Sequence, residues 1–129
     1  MGNYTYSMIL QEVAKTGMSF ASFAHEVNRN SSTIGQWASG WVKKPPVNVK
    51  PILARRGKFL SRISLKRYDF DWVCAEFGIK KAHIAKQLGI SKQALDDCRK
   101  RGFSDERQKD IEQVFHSIGL RLQTLAERM

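Results

Sequence analysis

Residues 23–37 read F-A-H-E-V-N-R-N-S-S-T-I-G-Q-W, and residues 84–98 read I-A-K-Q-L-G-I-S-K-Q-A-L-D-D-C. Laid over each other, 61 positions apart, the two segments keep their apolar positions in register. Ala24 falls on Ala85, Val27 on Leu88, Asn28 on Gly89, Ile34 on Leu95 and Trp37 on Cys98. Only the alanine is identical, so this is a repeat of pattern, not of residues. The pattern has a physical content. A small residue lets two helices cross closely, and Gly or Asn four residues later tolerates a left-handed turn. An apolar pair on the next helix then closes the core. That is a helix-turn-helix plan, present twice.

The flanking sequence extends both copies. Tyr6, Ile9, Leu10 and Val13 fall at i, i+3, i+4 and i+7, the spacing of an amphipathic helix, and Gly17 can end it. A short helix then carries Phe20, Phe23, Ala24 and Val27, and another begins near Ser31 and buries Ile34 and Trp37 before Gly40. In the second copy Asp69 is placed to cap a helix burying Phe70, Val73, Cys74 and Phe77, with Gly78 at its end. Helices carrying Ile84, Ala85 and Leu88, then Ala94, Leu95 and Cys98, follow on either side of Gly89-Ile90-Ser91. Ser104 caps the last helix, which runs through Ile111, Val114, Phe115, Ile118, Leu122, Leu125 and Met129. No period-2 strand stands out, so the fold class expected is all-α: two tandem helix-turn-helix modules joined by a basic connector. The boundaries expected are 1–48 for the first module, 49–68 for the connector and 69–129 for the second module with its long terminal helix.

Both segments resemble the helix-turn-helix of the lambda-repressor/Cro superfamily, whose pattern runs A-x-x-x-G-[IV]-S-x-x-x-[IV]-x-x-W-x-x-G. The first matches it through Ala24, Ile34, Trp37 and Gly40, with Asn28 and Asn30 where Gly and Ser are usual. The second matches through Ala85, Gly89, Ile90, Ser91 and Leu95, with Cys98 at the aromatic position and one extra residue before Gly102. The resemblance implies a sequence-specific regulator that binds double-stranded DNA, a repressor of bacterial, phage or plasmid origin.

Charge is unevenly distributed along the 129 residues, whose formal net charge is +10. Residues 1–42 are neutral and residues 69–129 carry +1, whereas residues 43–68 hold nine bases, no acid and all three prolines. Nine uncompensated charges exceed what solubility asks for and suit a phosphate backbone. Within the connector, Phe59, Leu60 and Ile63 are spaced for a helix closing the first module; an arm inserted in the minor groove is the other reading. Fully extended, the connector is long enough to set two reading helices in successive major grooves, about 34 Å apart.

The second helix of each motif would lie in the major groove, with its first turns at the base edges. The base contacts expected are therefore Ser31, Ser32, Thr33 and Gln36 in the first module, and Lys92, Gln93, Asp96 and Arg99 in the second. A glutamine amide can pair with adenine through both edge atoms, and Lys and Arg suit guanine. Asp96 fits only by accepting from cytosine, and Asp97 is placed to pair with Lys100 or Arg101. The phosphate contacts expected are Asn30, Lys43, Lys44, Arg55, Arg56, Lys58, Ser91, Lys100 and Arg101. Trp37 fits the core, and Trp41 packs on the connector or lies along the sugar-phosphate edge.

Leu122, Leu125 and Met129 continue the apolar stripe of the last helix beyond what one small module needs. Dimerisation through this stripe is the expectation, and folding back on the connector is the alternative. Other chemistry is not signalled. His25, His83 and His116 are scattered, and neither Cys74 nor Cys98 has a second cysteine at metal-binding spacing, so no cofactor or metal is expected. Both cysteines sit on apolar faces and read as core. No phosphate-binding glycine loop, nucleophile elbow or carboxylate cluster is present, so no enzyme is expected. No run reaches the roughly 18 apolar residues of a membrane span. Two cysteines and a start without a signal-like segment point to the cytoplasm. Two other functions fit the same residues: an interaction protein with one module on DNA and the other on a protein, such as a host defence complex, and a weakly specific architectural or segregation protein.

Overall fold

The computed structural model describes residues 6–19, 21–22, 24, 31–39 and 49–128. They form seven helices: α1 Tyr6–Lys15, α2 Ser31–Ala38, α3 Lys50–Leu60, α4 Phe70–Phe77, α5 Lys81–Leu88, α6 Lys92–Arg101 and α7 Asp105–Glu127. Among the described residues there is no strand, so the class is all-α, as the periodicity requires. The caps expected at Asp69 and Ser104 are made, and Ser91, expected as a phosphate contact, makes a third. The Asp69 carboxylate accepts from the Trp72 amide at 3.1 Å, Ser91 Oγ from the Ala94 amide at 3.0 Å and Ser104 Oγ from the Arg107 amide at 3.2 Å. Each satisfies one of the amides that a helix start leaves without an internal partner. Ile9, Leu10 and Val13 on α1, and Ile34 and Trp37 on α2, are buried as their spacing demands.

The two halves meet at a reciprocal contact. Met18 and Ile79, again 61 positions apart, form an isolated antiparallel bridge. The Ser19 amide donates to the Gly78 carbonyl at 2.8 Å, and the Lys80 amide donates to the Gly17 carbonyl at 3.0 Å. Gly17 and Gly78 occupy equivalent positions in the two copies, and so do Ser19 and Lys80. Each half therefore gives the other the same bond, as the subunits of a two-fold dimer do. Both glycines take the left-handed region, at φ 88° and 64°. A Cβ on Gly17 would fall 2.5 Å from His83 Cγ, and one on Gly78 would fall 2.5 Å from Ser19 Oγ. The junction thus requires glycine twice, for conformation and for space. One apolar cluster runs through both halves, from Ile9 and Trp37 to Phe115 and Leu125.

The basic connector is not extended. Its residues 50–60 form α3, begun by Pro51 in the first turn, where the missing amide hydrogen costs nothing. Among the described residues the chief partner of α3 is α7. The reason is a pair of glycines at the crossing. A Cβ on Gly57 would meet the Gly119 carbonyl oxygen at 2.7 Å, and one on Gly119 would meet the Gly57 carbonyl oxygen at 2.7 Å and the Leu60 carbonyl carbon at 2.8 Å. With no side chains between them the two backbones touch, and Ile52, Leu53 and Leu60 are buried along with Ile118, Leu122 and Leu125. The stripe read as a dimer surface is accordingly covered within the chain: Leu122 is 0% exposed and Leu125 1%. Folding back on the connector is the outcome, so these residues give no reason for a second copy. Met129 lies outside the described residues.

Two further expectations change. Cys98 and Ala94 on α6 are half-buried, and among the residues of that helix only Leu95 is buried. Asp97 accepts from the Gln93 amide at 3.1 Å one turn earlier, and among the described residues no ion pair joins it to Lys100 or Arg101. No helix of the described residues is long and apolar enough to cross a membrane.

Candidate nucleic-acid interface

The reading set expected on the first module lies on α2. Ser32 and Gln36 are exposed and one turn apart, and Thr33 is half-buried between them. Gln36 has its side chain outward while its carbonyl accepts from Ser39 Oγ at 2.9 Å. The inner side of the same helix carries Ile34 and Trp37, so burial of those two fixes which way Ser32 and Gln36 point. Asn30, Lys43, Lys44 and Trp41 lie outside the described residues, as does the side chain of Ser31.

The second set divides. Lys92 and Gln93 are exposed in the first turn of α6, directly after the cap Ser91. Asp96 is half-buried, and Arg99 turns inward to Asp71 of α4 at 3.0 Å. Lys81 of α5 meets the other oxygen of the same carboxylate at 2.9 Å. Asp71 thus clamps three helices together, and the Arg99 guanidinium is engaged inside the chain instead of facing a base. Lys100 and Arg101 remain exposed at the end of α6. In the repeat register Ser32 corresponds to Gln93 and Gln36 to Asp97. The outward face of the second module therefore carries a carboxylate where the first carries an amide.

The clamp has a pH signature. Lys81 first, and Arg99 after it, hold the Asp71 carboxyl below the usual carboxylate range. A carboxyl with a depressed folded value stabilises the fold above its unfolded value, about 4, and that contribution disappears as pH falls through the lowered one. We expect the urea midpoint to decline below about pH 4, and Asp71→Asn to flatten that decline. An equally steep acid limb in the variant would show that Asp71 does not drive it.

The expected phosphate contacts from the connector also divide. Arg55 and Lys58 are exposed on α3. Arg56 is 4% exposed and cannot reach a phosphate without leaving its site. Its guanidinium donates to Ser22 Oγ and to the Ser22 carbonyl, both at 3.0 Å, and lies 5.5 Å from the centre of the Phe77 ring. A position on the inner face of α3, one residue before Gly57, accounts for this. The basic run read as uniform is two-sided once wound into a helix.

Beyond α3 the chain shows what its linear reading missed. Arg55, Lys58, Arg62 and Arg67 surround a groove of 620 Å³ floored by Phe59, Ile63 and Tyr68. Tyr68 and Trp72 are exposed beside it. The signal was present in the sequence. Trp72 falls off the apolar stripe Phe70, Val73, Cys74 and Phe77, where a core tryptophan would not sit. Among the described residues, no group of three or more His, Cys, Asp or Glu is arranged to hold a metal ion. The chain matches no family model, and no curated protein or solved structure matches it either.

Proposed function

We propose that the chain is a sequence-specific double-stranded DNA-binding regulator, a repressor that works by occupying its site. The supporting observation is the repeat itself: two short helices with polar outward faces, at the same offset as the reciprocal contact joining the halves. In a two-fold arrangement of such helices, each enters a major groove on the same side of the duplex. Here both would belong to one chain, so a tandem helix-turn-helix needs no partner subunit to present two readers. Ser32, Thr33 and Gln36 are the base-reading residues of the first module, and Lys92 and Gln93 those of the second. Arg55, Lys58, Ser91, Lys100 and Arg101, with Asn30, Lys43 and Lys44, supply the salt-sensitive attraction to phosphates. Repression by exclusion of the polymerase asks for no catalytic group.

The second module also favours a different use. Asp97 on its outward face and Arg99 turned inward leave it a weaker reader than the first, and a docking surface for a protein is the alternative role.

Selection of sites from random duplex DNA by the full-length chain near physiological salt tests the proposal. Two spaced sequence blocks are expected if both modules read bases, and one block if the second module docks a partner. DNA retained without any enriched sequence would overturn the regulator reading in favour of an architectural one. On the selected site, Gln36→Ala should lower affinity by about 5- to 150-fold, the span of a bidentate base contact, and affect non-specific DNA far less. Gln93→Ala should have the smaller effect, because its amide must first leave Asp97.

A further inference from the structure

We propose that the groove beside α3 is a binding site for single-stranded nucleic acid, with an unpaired base stacked on the Tyr68–Trp72 pair and its flanking phosphates held by Lys58, Arg62 and Arg67. None of these side chains belongs to α2 or α6, so the site does not rest on the duplex reading.

Three features carry the assignment. The first is a pair of large rings left in solvent: Tyr68 is 37% exposed and Trp72 44%. Their rings stack with centres 5.5 Å apart and planes 21° from parallel. Parallel outward rings offer flat faces, which is what a base can use.

The second is support from below. The Phe59 ring meets Tyr68 edge-on at 5.1 Å and itself stacks on Phe77 at 5.3 Å. Phe77 is buried, with the Arg56 guanidinium over its ring at 5.5 Å. The outer pair is thus anchored through two further rings to the core, so little freedom is lost when a base lands on it. The start of α4 adds to this, since the Asp69 carboxylate is occupied by the Trp72 amide at 3.1 Å and fixes the turn between the two rings.

The third is charge. The residues lining the groove include four cations and no acid. Among the described residues no carboxylate pairs with Lys58, Arg62 or Arg67. Lys58, Arg62 and Arg67 around aromatic faces match a strand of alternating phosphates and bases. A duplex keeps its base faces stacked internally and offers them to no ring, and an acidic peptide offers the charge without the flat faces. A single strand supplies both.

The test is a titration of fluorescently labelled oligothymidylate with the full-length chain, read by anisotropy near physiological salt. Binding is expected. Tyr68→Ala and Trp72→Ala should each weaken it about tenfold or more, while Trp72→Phe keeps most of it. Arg62→Ala and Arg67→Ala should each reduce the salt slope by about 0.7, the value for one phosphate of a single strand. Both aromatic positions are exposed, and circular dichroism of the variants verifies that they fold. No binding of the oligomer would overturn the proposal. So would binding that the two aromatic variants leave intact while the arginine variants weaken it, which is plain charge attraction. Displacement by an oligoglutamate of equal charge as effectively as by unlabelled oligomer would overturn it in favour of an acidic protein segment. Oligothymidylate has no base pairs, so a chain that selects a duplex sequence yet ignores the oligomer sinks this proposal alone.

Discussion

Gly119→Ala should destabilise the chain by about 2–3 kcal/mol, although helix propensity alone predicts the opposite sign. Replacing a glycine inside an exposed helix by alanine gains about 0.5–1 kcal/mol, because glycine loses more backbone freedom on folding. At position 119 that gain is overwhelmed. The new methyl group would fall on the Ser61 amide nitrogen, with the Gly57 carbonyl oxygen at 2.7 Å and the Leu60 carbonyl carbon at 2.8 Å. All three are backbone atoms, so no rotamer change relieves the clash, and α3 has to move away from α7. Movement there loosens Leu53, Leu60, Ile118 and Leu122, which share that interface. Overpacking at rigid sites costs about 1–3 kcal/mol and sometimes more. Gly35→Ala is the internal control, because a Cβ at that position of α2 meets nothing within 4 Å. It should stabilise by about 0.5–1 kcal/mol. Urea unfolding of the two variants should therefore move the midpoint in opposite directions. Equal and small shifts would show that the crossing is looser than the contacts imply.

Phe115→Ala is the second large effect, at about 3–5 kcal/mol of lost stability. Phe115 lies on α7 and is 0% exposed, the largest of the fully buried side chains. Its ring packs on Phe70 with centres 6.1 Å apart, and Phe70 in turn meets Phe103 edge-on at 5.1 Å. These three rings tie the start of α4, the turn before α7 and the middle of α7 into one contact. Truncation removes the transfer energy of the ring and leaves a cavity whose walls belong to different helices, which cannot all close in at once. Phe115→Leu should recover most of the loss, since it keeps apolar volume at the site. For a domain whose whole stability is about 5–15 kcal/mol, the alanine variant should be partly unfolded near 37 °C. Its urea midpoint should fall with the slope preserved. A midpoint within experimental error of the parent would mean that the three-ring contact contributes little.

How much of this was legible beforehand depends on whether local or remote contacts decide the matter. The caps at Asp69 and Ser104 were readable because a capping oxygen acts within three residues of itself. The burial of Ile34, Leu95 and Ile111 follows from helical spacing in the same way. The 61-residue register was readable as well, and it recurs in the Met18–Ile79 bridge. What could not be read was which faces meet across the chain. The stripe Ile118, Leu122, Leu125 announces a partner helix without naming it, and only the Gly57–Gly119 crossing identifies α3. Arg56 and Arg99 look like surface cations in a linear count. Their partners, Ser22 and Asp71, lie 34 and 28 residues away. The candidate groove was missed for a related reason: Tyr68 and Trp72 gain meaning only when Phe59 and the cations of the connector fold beside them.

The packing of α3 on α7 also bears on how the protein is made. Helix α3 ends at Leu60, and α7 is the last helix of the described residues. A ribosome adding about 5–20 residues per second needs several seconds to travel from one to the other. Throughout that interval Ile52, Leu53 and Leu60 wait without the surface that will cover them. The nascent chain therefore cannot complete this core until α7 has been made, so emergence of the first half does not by itself make the native state available.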